Sequence, residues 1–261
     1  MNIPFYRQPK IVEVLEQNNL HVYTRPYELN IIGVRSNSQI TDKFDDYIYV
    51  CFKNGMGVWE NHRFNATTDP GMHFINKPMN SAGTAILKQG QYKSTYQLGL
   101  HRGKYKALVQ RKPVTVYRSK NSSRDIDSKK ATQTGQFGIN IHHAKGDGTT
   151  EDVDRFSAGC QVIANINDFK KLISYAEQHA KLYGNNFTYT LIDYRTKGYV
   201  VEQINTENRI TQTESNFSNS DLPNATKKKN HAGLILLSLT GLIGLGTTVY
   251  YLQTKNKEQY V

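Results

Sequence analysis

Two residues in this chain have the types and the spacing for thiol chemistry. Cys160 sits in "RFSAGCQVIA" (155–164), led in by Ser157, Ala158 and Gly159. His142 closes the run "FGINIHHA" (137–144), 18 residues before the cysteine. The thiolate is the reactive form of cysteine, and a neighbouring imidazole can accept its proton. Small residues ahead of the sulfur form a tight turn that presents it and lets a carbonyl carbon come close. They also leave the N–H groups of Gly159 and Cys160 to hold a developing oxyanion. The chemistry implied is nucleophilic attack of a thiolate on a carbonyl. The second cysteine, Cys51, lies in "YIYVCF" and reads as a buried strand residue. Two cysteines are too few for a disulfide framework.

The elements that must position this pair are a strand ending at His142, a glycine- and acid-rich loop "KGDGTTEDVD", and the turn that delivers Cys160. Adjacent strands would bring the two side chains together. His143 follows His142 directly, so on a strand it points to the opposite face. The loop acids Asp147, Glu151, Asp152 and Asp154 lack a regular ligand spacing and read as a solvated loop. No metal and no cofactor is expected, since thiol chemistry requires neither. His62, His73 and His101 are scattered and read as structural or surface residues. His101, in "GLHRGKY", is an accessory candidate at the cleft border, as are His143 and Gln161.

After the turn, "NINDFKKLISYAEQHAKLYG" predicts an amphipathic helix. Asn165 or Asn167 caps it, Gly184 stops it, and Phe169, Leu172, Ile173, Ala176, Ala180 and Tyr183 share one face. Residues 10–18 predict a short helix. "HVYTRPYELNIIGVRSNS", "DDYIYVCFKNG", "PVTVYRSKN" and "NFTYTLIDY" predict strands. Between Gly55 and Gln110 many short segments are punctuated by glycine, which suggests an all-β body. Residues 119–136 read as a polar loop. The expected organisation has four parts: an N-terminal helix and strands (1–50) packed on a catalytic domain (51–204), a flexible polar tether (205–230), and a transmembrane anchor (231–253).

The anchor rests on "AGLILLSLTGLIGLGTTVYYL" (232–252), which carries no charge. At about 1.5 Å per residue it spans a hydrocarbon core of roughly 30 Å. Tyr250 and Tyr251 fall where an interfacial aromatic belt would lie, and "KKKNH" precedes the span. The N-terminus has no apolar run fit for a signal peptide. A net charge of +11 and a pI near 9.4 favour polyanionic partners. No basic base-reading helix or zinc-finger spacing accompanies that charge, so nucleic acid is disfavoured. The partners expected are an anionic wall polymer and a membrane.

The order strand-His, loop, Ser-x-Gly-Cys resembles the catalytic domains of the L,D-transpeptidases, also called YkuD-like domains. Their signature is a histidine closing a strand in a G-I-H-G context, then roughly fifteen residues, then S-H-G-C with an arginine soon after. "GINIHHA" and "SAGCQV" match that order, and "TTDPG", "GTAIL" and "GQY" are similar to the family's T-P-x-G-x-F region. The resemblance runs from about 135 to 165 and more faintly from about 60 to 115. It implies a mostly β, β-sandwich-like fold. It also implies that a cysteine attacks a peptide-stem carbonyl of peptidoglycan, with an amine or water resolving the thioester. On that resemblance Cys160 is the nucleophile, and the family's strand register makes His142 rather than His143 the base. Ser157 then shapes the turn, while Gly159 admits the substrate and offers an N–H. Two positions depart from the family. Ala158 stands where it has histidine, and Val162 stands where it has arginine, a holder of substrate carboxylate or of turn structure. Those departures leave transpeptidation and hydrolysis both open, together with a second reading as a non-catalytic wall-binding or structural module. Three lysines before the span favour keeping the preceding domain in the cytoplasm, whereas peptidoglycan lies outside. A phage-encoded wall enzyme reconciles the two, and the chain's overall pattern is similar to such enzymes.

Overall fold

A computed structural model describes residues 8–37, 42–120 and 132–195. The protein is mostly β. Its first described element is α1 (Lys10–Gln17), which buries Ile11, Val12, Val14 and Leu15. Three strands follow: β1 (Asn30–Arg35), β2 (Asp46–Lys53) and β3 (Trp59–Thr67). After the short helix α2 (Met72–Asn76) come β4 (Thr84–Leu87), β5 (Gly90–His101), β6 (Tyr105–Gln110) and β7 (Val114–Ser119). The remaining elements are β8 (Thr132–Gly135), β9 (Ile141–His143), β10 (Gln161–Ile163), α3 (Ile166–Tyr183) and β11 (Phe187–Asp193).

Eight strands close a barrel in the order β1-β11-β5-β6-β9-β10-β3-β2, and β4, β7 and β8 form a separate sheet. This differs from the expected sandwich. The reason lies in the pairing: β1 binds β2 antiparallel and β11 parallel, while β10 binds β3 antiparallel and β9 parallel. Each of these strands is covered on both sides, so the large sheet has no free edge. The expected boundary at residue 50 is also corrected, because it falls inside β2. The residues before it supply β1, a barrel strand. The candidate tether and the candidate span lie outside the described residues. Among the described residues no helix is long and apolar enough to cross a membrane.

Two apolar clusters hold the barrel. The larger packs Ile31, Ile48, Val50, Phe64, Leu108, Ile141, Ile163 and Tyr189 against Phe169, Leu172 and Ala176 of α3. The smaller lies under α1, where its four buried side chains meet Ile32, Val34, Tyr49, Cys51 and Ile192. The local signals for α3 act as expected. The Asn165 side chain accepts N–H groups from Asn167 (2.7 Å) and Asp168 (3.3 Å), and the helix ends at Gly184, with φ 87°. Cys51 is wholly buried, and its thiol donates to Asn61 Oδ1 at 3.2 Å. Burial pushes that thiol far above its ordinary range, which makes it inert. Cys51→Ala should therefore cost about 1 kcal/mol or more, by opening a small cavity. Denaturant titration measures this loss, and the thiol chemistry should be unchanged.

A buried charge network ties the barrel to the segment beside the candidate site. Arg35 ends β1 fully buried and pairs with Asp69 and Asp193, each at 3.0 Å. It also donates to Leu87 O (2.9 Å) and Thr68 O (2.8 Å). Asp46 accepts the Thr68 N–H and hydroxyl, both at 2.7 Å. A buried guanidinium persists only when its donors are paired in this way. The clamp fixes Thr68 and Asp69, just ahead of Gly71, whose N–H donates to Ser157 O at 2.9 Å. A Cβ on Gly71 would lie 2.0 Å from Asp154 O, so the "TTDPG" stretch needs glycine there to pass the 154–157 backbone.

Candidate active site

The parallel pair β9–β10 sets the geometry. Gln161 lies opposite Ile141, Val162 opposite His142, and Ile163 opposite His143. Alternation sends Ile141, Gln161 and Ile163 into the barrel and puts His142 and Val162 on the outer face. Cys160 directly precedes β10, two residues before Val162, and so joins His142 on that face. The Gln161 N–H donates to Asn140 O at 2.9 Å, which locks the cysteine turn to the residues leading into β9. The Cys160 turn thus leads directly into the strand that pairs with the one bearing His142.

Ser157 shapes the turn from inside. Its hydroxyl donates to Cys160 O (2.8 Å) and accepts the Gly159 N–H (3.2 Å). Two expectations for Gly159 are corrected here. Its N–H is engaged by Ser157, and of the two N–H groups expected for an oxyanion only that of Cys160 has no partner among the described residues. Nor is glycine needed there to admit a substrate. Gly159 has φ 118°, and a Cβ would come 2.4 Å from Ala85 O, so glycine is needed for the close approach of β4. Gln161 is corrected as well. Its side chain points into the barrel, donates to Gly159 O (3.2 Å) and accepts the Tyr189 hydroxyl (2.8 Å). Tyr189 in turn fits only because residue 33 is glycine, since a Cβ there would lie 1.8 Å from its oxygen. Gln161 therefore positions the turn and does not face the site.

The histidines form a layered group. His142 and His101 stack with ring centroids 4.1 Å apart and planes at 27°. His142 Nδ1 lies 2.7 Å from His143 O and therefore carries the proton it donates there, with Tyr105 Oη a longer neighbour at 3.3 Å. Its Nε2 keeps the lone pair and has no partner among the described residues. Asn140 fixes the other tautomer. Its Oδ1 accepts the Gln110 N–H (2.9 Å), so its amide donates to His101 Nδ1 (3.1 Å), and His101 carries its proton on Nε2. Burial, then the neighbouring His101, brings His142 down to about 3. Burial, then the charge of Arg102, brings His101 down to about 4. Both rings are therefore neutral near neutral pH. His143 faces the other way, with its ring 5.1 Å from Phe169 of α3 and Nδ1 donating to Lys145 O at 2.7 Å.

The Cys160 thiol is half-buried and donates to Gly138 O at 3.5 Å. Burial raises its pKa, while the Asn140 N–H and the charge of Arg102 act in the opposite direction. The resting pair is a thiol and a neutral imidazole on one face, with no hydrogen bond between them. Tyr105, Asn140 and Arg102 also belong to this group and carried no signal in the sequence. Burial, then the charge of Cys160, pushes Tyr105 up to about 12. Its ring packs 4.3 Å from His143 and 5.4 Å from His101. Arg102 sits in the β5–β6 turn, where it and Gly103 both take positive φ (50° and 72°). Of the other histidines, His62 stacks on Tyr175 of α3 at 4.8 Å and His73 meets Phe74 edge-on at 5.0 Å. In the acidic loop, Asp152 pairs with Lys43.

No family model, no curated protein and no solved structure matches the chain.

Proposed function

We propose that this chain is a cysteine-dependent acyl-transfer enzyme of the L,D-transpeptidase type, acting on peptide stems of peptidoglycan. The observation that carries this reading is the parallel pairing of β10, which the Cys160 turn leads into, with β9, which bears an imidazole whose Nε2 lone pair is unengaged. In the first step the thiol proton passes to His142 Nε2 and the sulfur adds to a stem carbonyl. The oxyanion takes the Cys160 N–H. Collapse expels the stem amine, which leaves with the proton from His142, and a thioester remains on Cys160. An amine then resolves the thioester to a crosslink, or water resolves it to a free acid. Incubating the full chain with purified sacculi and reading the released or crosslinked stems by mass tests the reading. Unchanged sacculi, with folded protein present, would overturn it.

One observation favours the second reading, a wall-binding module on the same scaffold. The thiol is held protonated by burial and bonds a carbonyl, not an imidazole. Sacculi that retain the protein without any change in their stems would select it.

The same proposal makes residues 231–253 a membrane anchor, reached through the polar tether. The full chain should stay with membranes through washes in high salt and alkali. Release by salt alone would mean that the lysines hold it to a surface and that the segment does not span.

A further inference from the structure

Beside the Cys160 turn lies a cleft of about 280 Å³ that the acyl-transfer steps leave unused. Its lining includes Ala158, Thr84 and Ala85 of β4, Phe74, Phe137 and Arg118. It is joined to the nucleophile at two points. Ala158 is two residues from Cys160, and Phe137 precedes Gly138, whose carbonyl receives the Cys160 thiol. The volume is at or below the low end of the roughly 300–1,000 Å³ of ordinary ligand sites, so it suits the end of a peptide better than a length of one.

Arg118 is the cationic group in this cleft. It is held in place by neutral partners: Nε donates to Gln133 Oε1 at 2.9 Å, Nη1 donates to Gly83 O at 3.1 Å, and the guanidinium lies 5.0 Å over the Phe137 ring. A guanidinium has five N–H donors, and these contacts use two of them. Among the described residues no carboxylate pairs with it. An oriented guanidinium with donors to spare, lining a small pocket with aromatic walls, is suited to a planar carboxylate held by two parallel hydrogen bonds. The exposed side chain of Met79 (79%) at the rim adds an apolar, deformable contact.

We propose that this cleft binds the acyl donor through a free carboxylate on Arg118, with a small apolar side chain of the donor between Phe74 and Phe137. The inference rests on the acyl-transfer reading for the donor's identity, but the binding itself needs no turnover. It also divides the work between the two sheets, since β4 and β7 supply specificity while the barrel supplies the nucleophile and base.

The test compares two alkylating reagents on the full chain, N-chloroacetyl-alanine and its primary amide. In each case the Cys160 sulfur forms a thioether and releases chloride and a proton, and the extent is read by peptide mass. The carboxylate reagent should label Cys160 about fivefold faster than the amide, the worth of a partly exposed ion pair. Arg118→Gln should bring that ratio near one by slowing the carboxylate reagent more than the amide, and circular dichroism shows that the fold is intact. Arg118→Lys keeps the charge and loses the fork, and should retain part of the preference. It carries the test if the glutamine variant does not fold. A ratio unchanged in both variants overturns the inference, as does a preference abolished by Arg102→Gln and untouched at Arg118. Inert sacculi together with a carboxylate preference that follows Arg118 would sink acyl transfer and leave the binding site standing.

Discussion

Replacing Cys160 with alanine should abolish thioester formation and all change to the wall, while the barrel stays folded. The sulfur is the only atom with the nucleophilicity the first step requires, and no other cysteine can replace it. Cys51 lies under α1, wholly buried, with its thiol held far above the ordinary range. The turn does not depend on the sulfur. Its shape comes from the Ser157 hydroxyl, the positive φ of Gly159 and the Gln161 amide, none of which the substitution touches. The thiol is a weak hydrogen-bonding group, donating to Gly138 O at 3.5 Å, so the stability change should stay within about 1 kcal/mol. Sacculi digests resolved by mass, with circular dichroism to confirm folding, read both halves. Persistent cleavage or crosslinking by folded Cys160→Ala protein would remove the cysteine mechanism altogether.

The parts of the fold legible in the sequence are those whose causes are local. Asn165, Gly184 and the apolar stripe between them specify α3 within a residue or two, because capping and periodicity act inside one segment. The cysteine turn was legible in the same way, as small residues before a sulfur. The meaning of Gly159 was not. Its requirement comes from the Ala85 carbonyl, contributed by a strand far upstream in the sequence, and nothing in "SAGC" announces that approach. Arg35 is a sharper case. In "GVRSNS" it reads as the polar end of a strand, yet it is fully buried, and the groups that make this tolerable are Asp69 and Asp193, the latter 158 residues away.

Barrel closure was hidden for a related reason. β9 and β10 are three residues each, too short to show a period of two, and they are defined by their pairing rather than by their own composition. The pairing of β1 with β11 joins the two ends of the described chain. Tyr105 and Asn140 are single residues in ordinary-looking sequence, and they matter only because β6 and the approach to β9 carry them to the histidine stack. Gln161 was legible as a polar residue after the nucleophile. The direction it points follows from strand alternation, which a three-residue strand makes hard to register.

Alternation also separates the two adjacent histidines. His142→Ala should lower the rate of acyl transfer roughly a hundredfold or more, the usual worth of a positioned general base. His143→Ala should change it only a few-fold: its ring packs on Phe169 and Tyr105 with Nδ1 engaged by Lys145 O, and its backbone carbonyl, the part that orients His142, survives the substitution. Equal losses, or the reverse order, would mean that the other face of β9 carries the chemistry. The pH dependence sharpens the distinction. An imidazole with an ordinary pKa near 6.5 would be only about 3% neutral at pH 5, and a rate that depends on it would fall about thirtyfold between pH 8 and 5. Burial and the stacked His101 bring His142 down to about 3, so it stays neutral across that range. Its titration should therefore change the rate less than about twofold. Stability, unlike the rate, does respond in this window. The unfolded chain takes up a proton near 6.5 and the folded one does not until about 3, so the unfolded state binds more protons between those values, and stability falls as the pH is lowered. Rates at pH 5 must accordingly be taken on protein shown to be folded at that pH. A steep acid limb near 6.5, measured on folded protein, would assign the base to a solvent-exposed histidine and remove His142 from the mechanism.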